Sequence, residues 1–134
     1  MNEKYHTSSH SKYLIKFHFG IVVKYRKQLL FGEINDDMLL IVQEICAQYG
    51  YIIDEMQSDV NHLHFLLDIP PPFSALEIIH KIQPISTFRI YKKHRSFLKK
   101  HFWKENTFWS DAYFVCSTGD ASTETIKKYI AEQG

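Results

Sequence analysis

The sequence predicts an α+β domain: one antiparallel sheet with two helices on a single face, in the ferredoxin-like (RRM-like) arrangement, followed by a further helix. Three observations lead there. The 134 residues suit one domain. A hydrophobic content of 45% beside 23% charged residues is a globular balance. The apolar pattern also switches between strand and helix periods in the order β-α-β-β-α-β-α, whose first six elements form a split βαβ unit. The domain is expected to span residues 1–134, with a polar arm over 1–11 and the last helix over 123–133.

Each element has its own justification. From Tyr13 to Tyr25 the chain alternates, with Leu14, Lys16, His18 and Gly20 set against Ile15, Phe17, Phe19 and Ile21, as in a long strand. It ends in a basic knot, Lys24-Tyr25-Arg26-Lys27. From Asn35 to Tyr49, residues Met38, Leu39, Val42, Ile45 and Cys46 recur at helical spacing. Asn35, Asp36 and Asp37 suit the start of that helix and Gly50 its stop. Tyr51–Met56 and Val60–Ile69 read as strands joined by the turn Gln57-Ser58-Asp59, and Pro70, Pro71 and Pro72 close the second. A second helix begins at Ser74 and carries Leu76, Ile79, Ile82, Ile85, Phe88 and Tyr91. Pro84 is expected to kink or split it, and residues 92–104 to hold a short helix and a turn. Trp109–Ser117 reads as the last strand. Thr123–Gln133 reads as a helix capped by Ser122 or Thr123.

The net charge of +1 conceals segregation. Residues 1–27 are net +5, 28–80 net −9 without a single Lys or Arg, 81–104 net +8 without an acid, and 105–134 net −3. The acids of the second block are expected mostly on the solvent face of the first helix. A cationic block this dense suits a polyanion, or a solvated helix face. No apolar run reaches the roughly 20 residues of a membrane helix, and the polar N-terminus is unlike a secretory signal. Cys46 and Cys116 lack metal-type spacing and read as reduced thiols, so the expected compartment is the cytoplasm.

Three sets of residues can carry chemistry. His62 and His64 share one face of a strand at the i, i+2 spacing that lets two imidazoles hold a divalent metal, or they are simply two surface histidines. Tyr129 and Gln133, four residues apart, project from one helical face. They offer a phenolic nucleophile and a neutral oxygen ligand, or ordinary packing. The third set interleaves cations with rings: Lys81, Arg89, Tyr91, Lys92, Lys93, Arg95, Phe97, Lys99, Lys100, Phe102, Trp103 and Lys104. With Lys24, Arg26 and Lys27, it suits phosphate pairing and base stacking on single-stranded or hairpin nucleic acid, or else a charged helix with its own apolar stripe.

Taken in order, these features resemble the HUH single-tyrosine transposases of the insertion-sequence 200/605 group, over about Tyr13 to Gln133. The resemblance rests on five features: Lys24-Tyr25-Arg26-Lys27; Glu55-Met56; His62-Leu63-His64; Trp109 with Tyr113-Phe114-Val115 and Thr118-Gly119; and Tyr129-Ile130 with Gln133. It implies that His62, His64 and Gln133 hold one Mg²⁺ or Mn²⁺, and that Tyr129 attacks a single-stranded DNA phosphate to leave a 5′-phosphotyrosyl link. It further implies recognition of DNA hairpins near the element's ends, and a homodimer in which the tyrosine helix serves the partner's HUH site. Asn61 departs from the pattern, because the family commonly has Asp directly before the first histidine. Two other readings stand beside this one: a non-catalytic or domesticated nucleic-acid-binding protein on the same fold, and a metal-dependent nuclease without a covalent step.

Overall fold

The computed structural model describes residues 6–7 and 12–117. A short ladder pairs β1 (His6–Thr7) with β2 (Lys12–Tyr13), so part of the segment read as an arm joins a strand pair. The main sheet contains β3 (Lys16–Val23), β4 (Ile52–Asp59), β5 (His62–Asp68) and β6 (Trp109–Ser117), in the order β4-β5-β3-β6. All its neighbours run antiparallel. Helices α1 (Gly32–Tyr49) and α2 (Ala75–His101) complete the expected β-α-β-β-α-β unit.

The alternation read in the sequence decides which sheet face is apolar. Phe19, Ile21 and Val23 of β3 join Leu63, Phe65 and Leu67 of β5 in one core with Met38, Val42 and Ile45 of α1 and Ile78, Ile79 and Ile82 of α2. The rings of Phe19 and Phe65 stack at its centre, 5.3 Å apart. Because strand side chains alternate, His62, His64, Leu66 and Asp68 are left on the opposite face.

Several expectations need correction. Helix α1 starts at Gly32, a turn before Asn35, with Phe31 as its N-cap. Asn35 and Asp37 instead make tertiary contacts: Asn35 Oδ1 accepts from Ser58 Oγ at 2.8 Å, and Asp37 Oδ2 lies 2.6 Å from His94 Nε2. The bond to His94, ahead of the charge of Lys93, holds the Asp37 carboxyl below the usual carboxylate range. Gly50 ends α1 as read, at φ 78°.

Gln57, Ser58 and Asp59 belong to β4 rather than to a turn. Asp59 pairs with His62, so the hairpin closes on Val60 and Asn61 alone. The polar run misled because β4 is an edge strand, which has no need of apolar residues on both faces. The acidic block is likewise not concentrated on α1. Asp54, Glu55 and Asp59 lie exposed on β4, where charge discourages pairing with another sheet edge.

Helix α2 continues through Pro84, whereas the basic segment beyond His94 forms a short second helical stretch to His101, as expected within residues 92–104. Ser86 Oγ and Thr87 Oγ1 both donate to the Gln83 carbonyl, at 3.1 and 2.8 Å. The break in helical geometry comes at His94 (φ −130°, ψ 32°), the residue whose side chain is held by Asp37 of α1. Among the described residues no helix is long and apolar enough to cross a membrane. Cys46 is buried in the core, where desolvation pushes its thiol up to about 12. Cys116 lies half-buried on β6.

Candidate metal centre and nucleic-acid interface

Strand register builds the histidine site. His62 stands between Val22 of β3 and Asp59 of β4, and His64 between Gly20 and Gln57. Phe114 of β6 lies across Gly20 in the same row as His64. The imidazoles of His62 and His64 lie near parallel (28°), 6.1 Å between ring centres, and both residues are buried.

Asn61 bears on the chemistry of His62. Its Oδ1 lies 2.9 Å from His62 Nδ1. An amide oxygen only accepts, so this contact favours the proton on Nδ1, the tautomer that leaves Nε2 as the ligating nitrogen of a metal site. The turn itself is anchored: Val23 N donates to the Asn61 carbonyl at 2.9 Å, and Leu30 N to the Val60 carbonyl at 2.8 Å. The residue that departs from the family pattern therefore still supplies the orienting acceptor. Asn61→Ala is expected to weaken Mn²⁺ binding by about 10- to 100-fold, with Asn61→Asp retaining it, as read by paramagnetic titration of free Mn²⁺.

Among the described residues no group of three or more His, Cys, Asp or Glu could hold a metal. Two imidazole nitrogens supply part of a donor set, which amide, phosphate and water oxygens can complete around a divalent ion. The remaining expected members, Tyr129 and Gln133, lie outside the described residues, as do Thr118, Gly119 and the helix expected over 123–133.

The basic knot is a single 3₁₀ turn, Lys24–Arg26, with two consecutive non-glycine residues in the left-handed region: Tyr25 at φ 60° and Arg26 at φ 53°. Such residues cost of order 1–3 kcal/mol each and persist where neighbours hold them. Here Lys24 N donates to the Phe108 carbonyl at 2.8 Å, and Lys24 Nζ bonds Glu105 Oε1 at 2.9 Å. That bond raises the Lys24 ammonium above its ordinary value. Arg26→Gly is expected to raise unfolding stability by about 1 kcal/mol in urea titrations, because glycine adopts this conformation without the steric penalty.

The cations of α2 do not form one surface. Lys81 lies over the Tyr49 ring at 5.0 Å. Arg89 bonds Gln48 Oε1 of α1 at 3.1 Å, and Lys93 lies 3.8 Å from Asp37. A different stripe, at helical spacing, carries Phe88, Lys92, Arg95 and Lys99. Its first three members line a cleft of about 580 Å³ with Tyr91, Trp109 and Asp111. Lys92 Nζ sits 4.6 Å from the exposed Phe88 ring, and Lys99 Nζ donates to Asn106 Oδ1 at 3.0 Å. Lys100 is exposed near the end of the helix.

Residues 11–133 match the family described as "Transposase IS200 like". The chain belongs to the IS200-like transposase family. This transposase is 29% identical over 121 residues to the ISDra2 transposase TnpA of Deinococcus radiodurans, covering 90% of this chain and 85% of that relative. It is 27% identical over 125 residues to the transposase for insertion sequence element IS200 of Salmonella typhimurium, covering 93% and 80%. Among solved structures, a Deinococcus radiodurans chain assigned as a transposase superposes with a TM-score of 0.87 at 23% identity, over 96% of this chain and 97% of that one. A REP-associated tyrosine transposase bound to a REP hairpin superposes at 0.55 with 12% identity, over 92% and 68%. Both structural likenesses concern the fold. In this transposase the sequence reading missed the left-handed pair at Tyr25 and Arg26, which no glycine announced, and the Lys24–Glu105 pairing across 81 residues.

Proposed function

We propose that this IS200-like transposase cleaves and rejoins single-stranded DNA at the ends of an insertion sequence, with Tyr129 as nucleophile and His62, His64 and Gln133 as the ligands of one Mg²⁺ or Mn²⁺. The observation that carries this reading is the side-by-side pair of imidazoles, with Asn61 Oδ1 held 2.9 Å from His62 Nδ1. When bound, the ion polarises the scissile phosphate and offsets its charge. His62 and His64 hold it through neutral nitrogens on a rigid strand, and Gln133 adds an amide oxygen. Tyr129 Oη forms a bond to phosphorus and loses its proton, while the bond from phosphorus to the 3′-oxygen breaks and that oxygen takes up a proton. The product is a 5′-phosphotyrosyl link and a free 3′-hydroxyl. Attack by a 3′-hydroxyl reverses the step, so no nucleotide cofactor is consumed.

The DNA partner carries hairpins beside the cleavage points. Of the expected cations, Lys24, Arg26, Lys27, Lys92, Arg95, Lys99 and Lys100 pair with its phosphates, while Lys81, Arg89 and Lys93 are engaged toward α1. The hairpin held by the REP-associated relative supports a hairpin partner. Residues 1–134 act as one domain in the cytoplasm. The protein works as a homodimer whose 123–133 helix delivers Tyr129 to the partner's histidines.

A labelled single-stranded hairpin with an unpaired flank tests the reading. With Mg²⁺ or Mn²⁺ it is expected to yield a protein–DNA adduct that survives denaturation, and with EDTA none. Cleavage without an adduct would make the protein a metal-dependent nuclease. Binding without cleavage would make it a non-catalytic DNA-binding relative.

A further inference from the structure

We propose that Tyr25 and Trp103 form a stacking site for an unpaired nucleobase in the single-stranded DNA that flanks the cleavage point. The inference rests on the reading that single-stranded DNA is the substrate.

Tyr25 and Trp103, at 73% and 68% exposure, are the most exposed large hydrophobic residues among those described. They line one cleft of about 430 Å³ with His101, Phe102 and Lys104. Phe102 forms its buried floor, with its ring centre 6.5 Å from that of Tyr25. The chain's other tryptophan, Trp109, makes a useful contrast. It is buried, and its Nε1–H donates to Ser86 Oγ at 2.9 Å, so its ring serves the core. Exposing two large rings on one cleft forgoes the free energy of burying them, and Tyr25 is held out in a left-handed conformation as well.

Charge identifies the occupant. Lys24 Nζ lies 5.7 Å from the Tyr25 ring centre and Lys27 Nζ 5.8 Å from that of Phe102, and Lys104 lines the cleft together with Glu105. Rings interleaved with cations suit a flat base joined to a phosphate. The Glu105 carboxylate bonded to Lys24 is 61% exposed, so a phosphate can displace it. Position selects the unpaired flank over the hairpin stem. Val22 pairs with His62 and Val23 N bonds the Asn61 carbonyl, which leaves at most about 11 Å of chain between Val22 and Tyr25. A duplex stem, moreover, keeps its base faces stacked on one another.

Fluorescence anisotropy in EDTA tests the site without cleavage. A labelled oligothymidylate is compared with the same backbone made abasic. Wild type is expected to bind the base-bearing strand about 10-fold more tightly, and Tyr25→Ala with Trp103→Ala to bring that ratio close to one. Tyr25→Phe with Trp103→Phe should keep it. An unchanged ratio in the double alanine variant, or no discrimination by wild type, overturns the proposal. If the alanine variant loses its fold by circular dichroism, quenching of wild-type tryptophan emission decides. Oligothymidylate should quench emission in wild type and not in Trp103→Phe, and equal quenching in both overturns the site. Adduct formation by the same proteins separates the two readings: normal adduct with an unchanged ratio removes only the stacking site, whereas base discrimination without any adduct removes only the Tyr129 chemistry.

Discussion

Tyr129→Phe is expected to bind the hairpin substrate as wild type does and to form no adduct, a loss of at least about a thousandfold in cleavage. The change removes one oxygen, and no other group in the proposed site can supply the nucleophile. His64→Ala should lose a comparable amount by a different route, since a single imidazole leaves the ion weakly held and the phosphate charge unopposed. The two variants test the dimer together. If the tyrosine helix serves the partner's histidines, a heterodimer of Tyr129→Phe with His64→Ala has one composite site carrying both lesions and one intact. Co-expression should then restore about a quarter of wild-type adduct, because half the dimers are mixed and each has one good site. Recovery confined to the background of either variant alone would overturn the exchange of helices.

The largest expected effect on stability is that of Phe65→Ala. Phe65 is 1% exposed, stacks on Phe19, and pairs across the sheet with Met56 of β4. Truncation should cost about 3–5 kcal/mol, a large share of the roughly 5–15 kcal/mol that holds a domain of this kind together. Urea unfolding followed by the emission of buried Trp109 would read it as a shifted midpoint at similar slope. A loss under about 1 kcal/mol would mean that the two phenylalanines do not form the centre of the core. Phe65 lies between His62-Leu63-His64 and Asp68 on the same strand, so the histidine geometry should degrade with the core.

What the sequence could and could not convey follows from how local each cause is. The alternation across Phe17 to Ile21 and Leu63 to Leu67 faces one apolar sheet surface, so strand identity and the shared face of His62 and His64 were readable from period alone. Trp109–Ser117 was legible to the residue. Gly50 announced the end of α1 because a left-handed C-cap needs glycine. The failures are places where a distant partner decides. Asn35 and Asp37 looked like capping residues until Ser58 and His94 were seen to hold them. Gln57-Ser58-Asp59 looked like a turn because a polar edge strand and a polar loop share a composition. Pro84 looked like a break, yet the helix yields at His94. The role of Asn61 was the least legible, since whether an amide replaces a carboxylate as the orienting group depends on a contact only coordinates supply.

The two cysteines have a practical consequence. At neutral pH the Cys46 thiol, shielded and held near 12, offers almost no thiolate to an alkylating reagent. Cys116 lies opposite His18 on β6, on the sheet face that carries His64. Of the two thiols, Cys116 is therefore the one at which a maleimide spin label would report, beside the histidine row. Distances between such labels in a dimer would then map its architecture without altering a single residue.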